Sequence, residues 1–257
     1  MRATPLTSLR VSAHHFCATN GAFIFFFGYF RLILSRIIII AMRIIAPSML
    51  SADFGHLERD TKMVDASAAE WIHIDVMDGV FVPNISFGFP VLKSIRKASP
   101  KFLDVHLMIV NPERYIKRFA EAGADMITFH LEATSSVAQC IEHAREAGVK
   151  VGISIRPATP VAELIPWLPM VDMVLIMSVE PGFGGQSFMP QSIDKVMELR
   201  EYANDYNREL IIEVDGGISS ANAAQLFDAG AEVLVAGSSV FGAEDPQREI
   251  VKMLEAR

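Results

Sequence analysis

The segment WIHIDVMDG, residues 71–79, gives the clearest indication of the fold. Apolar and polar side chains alternate through most of it, and successive side chains of a β-strand point to opposite faces. Ile74 and Val76 therefore point to one face, whereas His73 and Asp75 share the other. This pattern predicts a strand that carries titratable groups on a single face and is followed by a turn at the Asp-Gly pair.

Outward from this strand, the chain from residue 42 alternates β-rich runs with helical patterns. The eight β-rich runs are Arg43–Ala46, Trp71–Val76, Phe102–Leu107, Met126–Leu131, Val149–Ile155, Val171–Met177, Leu210–Val214 and Val233–Ala236. The helical patterns include Pro112–Ala122, Ser135–Ala147, Ile193–Asn204 and Asn222–Ala229. Such alternation is typical of βαβ units and a parallel sheet. Eight units predict one α/β domain over residues 42–257, a single (β/α)8 TIM barrel.

The composition of the 257-residue chain excludes several classes of protein. Its 23 basic and 30 acidic residues give a net charge of −7, which argues against a nucleic-acid binder, since such proteins carry a basic face. The two cysteines, Cys17 and Cys140, form no Cys-x-x-Cys motif, so a disulfide scaffold or a zinc motif of that type is not expected. The apolar fraction of 51% is that of a globular chain rather than a disordered one.

Residues 1–41 differ from the rest of the chain and are predicted to form a leader outside the barrel. They hold four arginines and no acidic residue. Three interpretations compete: a misplaced start with Met42 as the true first residue, a targeting signal, and a membrane anchor. We favour the first, because Arg31 and Arg36 interrupt the apolar stretch that a membrane span needs and no clear cleavage site precedes Met42. A cytoplasmic protein without membrane association is expected, with organellar targeting by the leader as the alternative.

Polar residues collect at the carboxyl ends of the predicted strands, where barrel enzymes carry their chemistry. His73 and Asp75 lie on the second strand, His106 on the third and Asp215 on the seventh. Two imidazoles and two carboxylates suit Zn²⁺, Fe²⁺, Mn²⁺ or Co²⁺ better than Ca²⁺. Taken singly, each residue has an ordinary structural explanation, such as a helix cap or a hydrogen-bonded core histidine. Together, at one depth of an apolar barrel, they predict a divalent-metal site, because uncompensated buried charges would be costly.

Three glycine-rich loops follow the last three strands, at residues 180–186, 215–217 and 237–239. Barrels often bind phosphate through backbone N–H groups of the loops after strands seven and eight. Glycine lets the backbone approach an anion closely. A single Gly-Gly pair is also an ordinary tight turn, but three such loops in a row favour a phosphate site. The first loop is a candidate lid as well, since its glycines permit large backbone changes.

Several motifs between about Met42 and the C-terminus resemble those of ribulose-phosphate 3-epimerases. They are APSMLSADF (46–54), HIDVMDG (73–79), FVPN (81–84), DVHLM (104–108), TFHLE (128–132), VEPGFGGQ (179–186) and EVDGGI (213–218). Their combination is highly specific, and residues 1–41 take no part in it. The resemblance implies a barrel of the ribulose-phosphate-binding type that interconverts D-ribulose 5-phosphate and D-xylulose 5-phosphate in the pentose phosphate pathway.

The resemblance also implies roles for individual residues. His73, Asp75, His106 and Asp215 would hold one divalent metal ion per subunit, either Zn²⁺, Fe²⁺, Mn²⁺ or Co²⁺. Asp75 and Asp215 would also be the two acid–base carboxylates that move a proton through an enediolate. The residues expected to bind the substrate are Ser48, Met77, His106, Met108, Met177, Gly182, Phe183, Gly184, Gly185, Gly216, Gly217, Gly237 and Ser238. The expected partners are a sugar-phosphate substrate and further copies of the chain in a homo-oligomer.

Two groups of residues have both a structural and a functional interpretation. The three methionines either fill the core or form a polarizable cap that excludes water from the enediolate, and we favour the cap. His130 and Glu132, at the end of the fourth strand, are interpreted as a hydrogen-bonded pair behind the metal ligands.

Other functions compete with this interpretation. A related epimerase acting on another ketose phosphate, such as D-allulose 6-phosphate, would share the metal, the carboxylates and the phosphate loops. A decarboxylase related to orotidine-phosphate decarboxylase is disfavoured, because Asp75 is followed by Val76 and Met77 instead of an Asp-x-Lys pattern. A non-catalytic, membrane-tethered scaffold is disfavoured, because it would not explain the acidic residues, histidines and glycines at the ends of the predicted strands.

Overall fold

Eight strands form the centre of the structure, a computed structural model that describes residues 42–257. Their bounds are β1 (Ile44–Pro47), β2 (Trp71–Met77), β3 (Phe102–Met108), β4 (Met126–His130), β5 (Lys150–Ile155), β6 (Met173–Met177), β7 (Ile211–Asp215) and β8 (Val233–Ala236). The leader predicted for residues 1–41 lies outside the described residues, and its favoured explanation stays a prediction.

The strands follow one another around a barrel. Their order in the sheet is β1-β8-β7-β6-β5-β4-β3-β2, and every pairing is parallel. The two ends of the sheet meet where Ser48, directly after β1, forms a parallel bridge with His73 on β2. The predicted (β/α)8 TIM barrel is therefore confirmed.

Helices link the strands. Their bounds are α1 (Leu57–Asp65), α2 (Phe89–Ala98), α3 (Ile116–Glu121), α4 (Val137–Glu146), α5 (Ser192–Tyr206), α6 (Ala223–Ala229), α7 (Ser238–Phe241) and α8 (Pro246–Leu254). The Asp245 side chain caps α8 by accepting a hydrogen bond from the Arg248 N–H, and Gly230 ends α6 with a φ of 112°. From residue 42 onward, no helix is long and apolar enough to cross a bilayer.

One predicted helix is shorter than its sequence pattern indicated. The helix expected over Pro112–Ala122 begins only at Ile116, because Pro112–Arg114 form a 3-10 turn after Asn111, which has a left-handed φ of 51°. The proline does mark a first turn, but that turn is interrupted before the α-helix starts. The other predicted strands and helices have bounds within two residues of the observed ones.

The inside of the barrel changes from apolar to polar along the strands. At the amino-terminal ends of the strands, an apolar layer contains Trp71, Met126 and Met173. One layer further on, fully buried polar side chains take their place, including those of Asp104 and Glu213. The barrel thus brings its titratable groups together towards the carboxyl ends of the strands.

Candidate active site

Four side chains from three strands meet at the carboxyl end of the barrel. One donor atom from each of His73, Asp75, His106 and Asp215 lies within 4.8 Å of all the others. His73 Nε2 and His106 Nδ1 approach the same oxygen, Asp75 Oδ1, at 3.2 and 3.3 Å. The sheet register explains this convergence, because Asp75 pairs with His106 across β2 and β3, two residues beyond His73. The structure therefore brings together all four residues that the sequence predicted as metal ligands.

The spacing of these atoms fits a transition-metal ion. In a tetrahedral site with bonds of about 2.0–2.1 Å, neighbouring ligand atoms are about 3.3 Å apart. The distances from Asp75 Oδ1 to the two imidazole nitrogens match that edge length. Nitrogen and carboxylate donors together suit Zn²⁺, Fe²⁺, Mn²⁺ or Co²⁺. The described residues can thus hold such an ion.

The two aspartates of this centre differ in their electrostatics. Burial raises the pKa of Asp75, but His73 and His106 outweigh it and hold the pKa well below its usual range. The Ser48 hydroxyl also donates a hydrogen bond to Asp75 Oδ2, at 2.5 Å. For Asp215, burial and the neighbouring charge of Asp75 raise the pKa to about 7. These opposite shifts give the cavity one carboxylate in its ionised form and one carboxyl group able to take up a proton, the combination that acid–base chemistry needs.

Both histidines are hydrogen-bonded on the side that faces away from Asp75. His73 Nδ1 lies 2.5 Å from Asp104 Oδ2, and His106 Nε2 lies 2.9 Å from His130 Nε2. His130 Nδ1 in turn lies 3.3 Å from Glu132 Oε2. This geometry agrees with the interpretation of His130 and Glu132 as a hydrogen-bonded pair behind the ligands. Sequence reasoning gave no role to Asp104, although its position two residues before His106 predicts the same inward face.

A second acidic residue, Glu213, was also missed by sequence reasoning. It precedes Asp215 by two residues on β7, so the strand alternation could have found it. It is fully buried, and its Oε1 lies 3.7 Å from His73 Nδ1. Burial and the charge of Asp104 raise its pKa well above the usual range.

The cavity above this centre is bounded on two sides by methionines. Met77 and Met108 are opposite each other in the β2–β3 register and pack with Val82. Met177, on β6, packs with Val179. All three methionines are buried and line the cavity, together with Ser48, Asp75 and Asp215. His106 is fully buried and is not among the cavity-lining residues, so a direct contact of its side chain with substrate gains no support from this geometry.

The predicted glycine loops line the same cavity. Its lining includes all eight residues expected at the phosphate end: Gly182, Phe183, Gly184, Gly185, Gly216, Gly217, Gly237 and Ser238. Gly217 has a left-handed φ of 63°, and a Cβ there would lie 2.4 Å from the Phe188 nitrogen. No other amino acid fits this turn without moving the backbone.

The loop at 182–186 is held by a residue from another loop. Asn84, after β2, donates a hydrogen bond from its side-chain amide to the Gly182 carbonyl at 2.9 Å. The Phe183 side chain on this loop is 55% exposed. Asn84 lies in one of the quoted motifs, but the sequence alone did not connect it to the glycine loop.

Carboxylates and histidines at the carboxyl ends of barrel strands occupy the place where this fold performs catalysis, so fold and site together define a TIM-barrel enzyme. Comparison with known proteins gives its family. Residues 44–241 match the model of the ribulose-phosphate 3 epimerase family, and the chain belongs to this family. It is accordingly a carbohydrate epimerase, a member of the isomerase class.

Individual relatives agree with the family model. The ribulose-phosphate 3-epimerase of Synechocystis sp. is 48% identical over 202 residues, which cover 78% of this chain and 88% of that protein. The chloroplastic ribulose-5-phosphate-3-epimerase of Arabidopsis thaliana is 45% identical, covering 83% of this chain and 76% of that protein. Among solved structures, 3-hexulose-6-phosphate synthase from Salmonella typhimurium shares the fold, with a TM-score of 0.59 and 19% identity over 84% of this chain and 98% of that one.

Proposed function

We propose that this protein interconverts D-ribulose 5-phosphate and D-xylulose 5-phosphate, as a step of the pentose phosphate pathway, by moving a proton at carbon C3 of the substrate. The main support is geometric: the carboxyl groups of Asp75 and Asp215 line one cavity and have donor atoms within 4.8 Å of each other. The names of the similar proteins support the same substrate.

Inversion at C3 needs two groups, because one proton leaves one face of the carbon and another arrives at the opposite face. Asp75 comes from β2 and Asp215 from β7, so they approach the cavity from different strands. In one direction an ionised carboxylate removes the C3 proton, leaving a planar enediolate, and the protonated partner delivers a proton to the other face. The two residues exchange roles when the reaction runs backwards.

His73, Asp75, His106 and Asp215 would hold one divalent ion per subunit. When bound, the ion supplies positive charge that stabilises the negative charge developing on the substrate oxygens at C2 and C3. Ser48 keeps Asp75 oriented through its 2.5 Å hydrogen bond. Met77, Met108 and Met177 exclude water from the reacting carbons and surround them with polarizable sulfur.

The glycine-rich loops would bind the phosphate group of the substrate. Backbone N–H groups of Gly216, Gly217, Gly237 and Ser238 can approach an anion closely, because the glycines carry no Cβ. The loop at 182–186 would close over the bound sugar. The cytoplasmic location and the homo-oligomer expected from the sequence remain predictions, and light scattering on the purified chain tests the second.

The proposal is tested by incubating the purified enzyme with D-ribulose 5-phosphate or D-allulose 6-phosphate and following the products by NMR. We expect xylulose 5-phosphate to form much faster than the epimer of the hexulose phosphate. Faster epimerisation of D-allulose 6-phosphate would contradict the proposed substrate and favour the hexulose phosphate.

The Asp75→Asn and Asp215→Asn variants are expected to lose turnover by about 100- to 10,000-fold each, since each removes one proton-transfer group. Asp228→Asn serves as the control, because this aspartate on α6 has a side chain that is 74% exposed. Near-normal activity in either site variant would remove that residue from the mechanism.

A further inference from the structure

We propose that Asp104 and His130 are positioning residues that hold the two histidines of the metal centre in opposite tautomers. In this arrangement His73 presents Nε2 to the ion and His106 presents Nδ1. The inference rests on the proposed metal centre, but it concerns groups that lie behind the ligands and do not touch the substrate.

The two ring nitrogens of His73 face different groups. Nε2 faces Asp75 Oδ1 at 3.2 Å, inside the ligand group, whereas Nδ1 faces Asp104 Oδ2 at 2.5 Å. A nitrogen that binds a metal must offer a lone pair, so the proton resides on Nδ1 and is donated to Asp104. The β2–β3 register places Asp104 directly opposite His73, and both side chains are fully buried.

The ring of His106 has the opposite arrangement. Here Nδ1 faces Asp75 Oδ1 at 3.3 Å, and Nε2 faces His130 Nε2 at 2.9 Å. With its lone pair on Nδ1, His106 carries the proton on Nε2 and donates it to His130. His130 then carries its own proton on Nδ1, where the Glu132 carboxylate accepts it at 3.3 Å. Each group along this series therefore has a donor facing an acceptor.

These contacts also fix the orientation of the rings. A half-turn of the His73 ring would place a carbon against Asp104 and remove the nitrogen from the ligand group. A half-turn of His106 would do the same against His130. Outer partners of this type commonly orient metal-bound histidines and raise the affinity for the ion. Loss of Asp104 or His130 should therefore weaken metal binding even though all four ligands remain.

The neighbouring group of His73, Asp104 and Glu213 also has donor atoms within 4.8 Å of one another, so it is the competing candidate for a second cation. It shares His73, whose Nδ1 is already occupied by the contact with Asp104. Glu213 lies 3.7 Å from that nitrogen, too far for a hydrogen bond. We therefore assign Asp104 to positioning and expect a single ion per chain.

The experiment uses the full chain loaded with Zn²⁺, without substrate. NMR of the ¹⁵N-labelled histidines should show His73 protonated on Nδ1 and His106 on Nε2, and metal analysis should give one zinc per chain. The same tautomer in both rings, the reverse assignment, or two zinc ions per chain would overturn the inference.

Variants test the two partners separately by competition with a chelator for Zn²⁺. Asp104→Ala and His130→Ala should each bind zinc about 10- to 100-fold more weakly. Asp104→Asn and His130→Gln retain a side-chain oxygen that accepts the same proton, so they should recover most of the affinity. Thr128→Val is the matched control, because Thr128 is buried on β4 beside His106 and its hydroxyl has no hydrogen-bond partner within residues 42–257.

Unchanged zinc affinity in the folded alanine variants would contradict the inference. If an alanine variant does not fold, the tautomers of the unaltered protein still decide the question. Failure of the metal centre itself is distinguishable, since the unaltered protein would then bind no zinc. If the enzyme turns over substrate but its histidines have other tautomers than those expected, the proposed function is unaffected and only this inference is contradicted.

Discussion

Met77 and Met108 have both a packing and a catalytic interpretation. They pair across β2 and β3, two residues beyond Asp75 and His106, and each is almost completely buried. Methionine is unbranched and polarizable, so it fills irregular spaces and also accommodates a changing charge distribution nearby. A substitution that preserves volume therefore distinguishes the two interpretations: a packing role predicts an unchanged turnover rate, whereas a catalytic role predicts a lower one.

Met77→Leu is expected to reduce the turnover rate severalfold while changing the free energy of unfolding by less than about 1.5 kcal/mol, because the swap conserves volume. Steady-state kinetics and urea denaturation measure the two quantities. Met126→Leu, in the apolar layer at the other end of the barrel, is the control and should change neither strongly. An unchanged turnover rate for Met77→Leu would show that this methionine contributes to core packing and not to catalysis.

The contribution of Glu132 to the free energy of unfolding is expected to depend on pH. Burial raises its pKa, but hydrogen bonds from His130, the Arg156 N–H and Thr159 outweigh burial and lower the pKa to about 2. A carboxyl group whose pKa is lowered by folding stabilises the folded state at pH values above its unfolded pKa. That stabilisation is lost as the pH falls from about 4.5 towards 2.

Glu132→Gln should therefore be less stable than the unaltered protein near neutral pH, with the difference shrinking as the pH falls below about 4.5. Urea denaturation of the metal-free proteins at a series of pH values measures it. A difference that is absent at neutral pH, or that stays constant into the acid range, would contradict the assigned hydrogen bonds.

At the scale of elements, the loop after β7 depends on one glycine. Gly217 combines a left-handed φ of 63° with a crowded surrounding, because an added Cβ would lie 2.4 Å from the Phe188 backbone nitrogen. Gly148, before β5, has a similar φ of 73° but no atom within 4 Å of an added Cβ. The two glycines therefore separate the effect of backbone conformation from the effect of crowding.

Gly148→Ala and Gly217→Ala should each lose about 1–2 kcal/mol of stability from the left-handed conformation. Gly217→Ala should additionally displace the loop and lower kcat/KM by about 100-fold, since misplacement of a binding group by about 1 Å has effects of that size. Denaturation and kinetics on both variants test this. Equal kinetics in the two would exclude the loop after β7 from substrate binding.

The sequence predicted the elements well where local signals were strong. Strands such as Val233–Ala236 were predicted with their observed bounds, because short apolar runs between glycine and polar residues have few alternatives. The helix near Pro112 was predicted too long, since proline marks a first turn without showing whether that turn continues. The bridge between Ser48 and His73, which closes the barrel, joins residues far apart in the chain and has no local signal.

At the scale of the whole molecule, the strand register determines which residues of the site meet. All four predicted metal ligands came together, because a closed barrel places the carboxyl ends of its strands around one axis. The opposite pKa shifts of Asp75 and Asp215 could not be predicted, since they depend on neighbours from several strands. Asp104 was overlooked for a related reason: its partner, His73, is on a different strand.

NMR of D-ribulose 5-phosphate in D₂O with the purified enzyme tests the proposed metal-dependent proton transfer at C3. We expect xylulose 5-phosphate that carries deuterium at C3. Formation of this product should stop when a chelator removes the metal and resume when Zn²⁺, Fe²⁺, Mn²⁺ or Co²⁺ is added. A folded, metal-loaded enzyme that forms no product and exchanges no deuterium would contradict the proposed reaction, and undiminished turnover after complete metal removal would contradict the role of the metal.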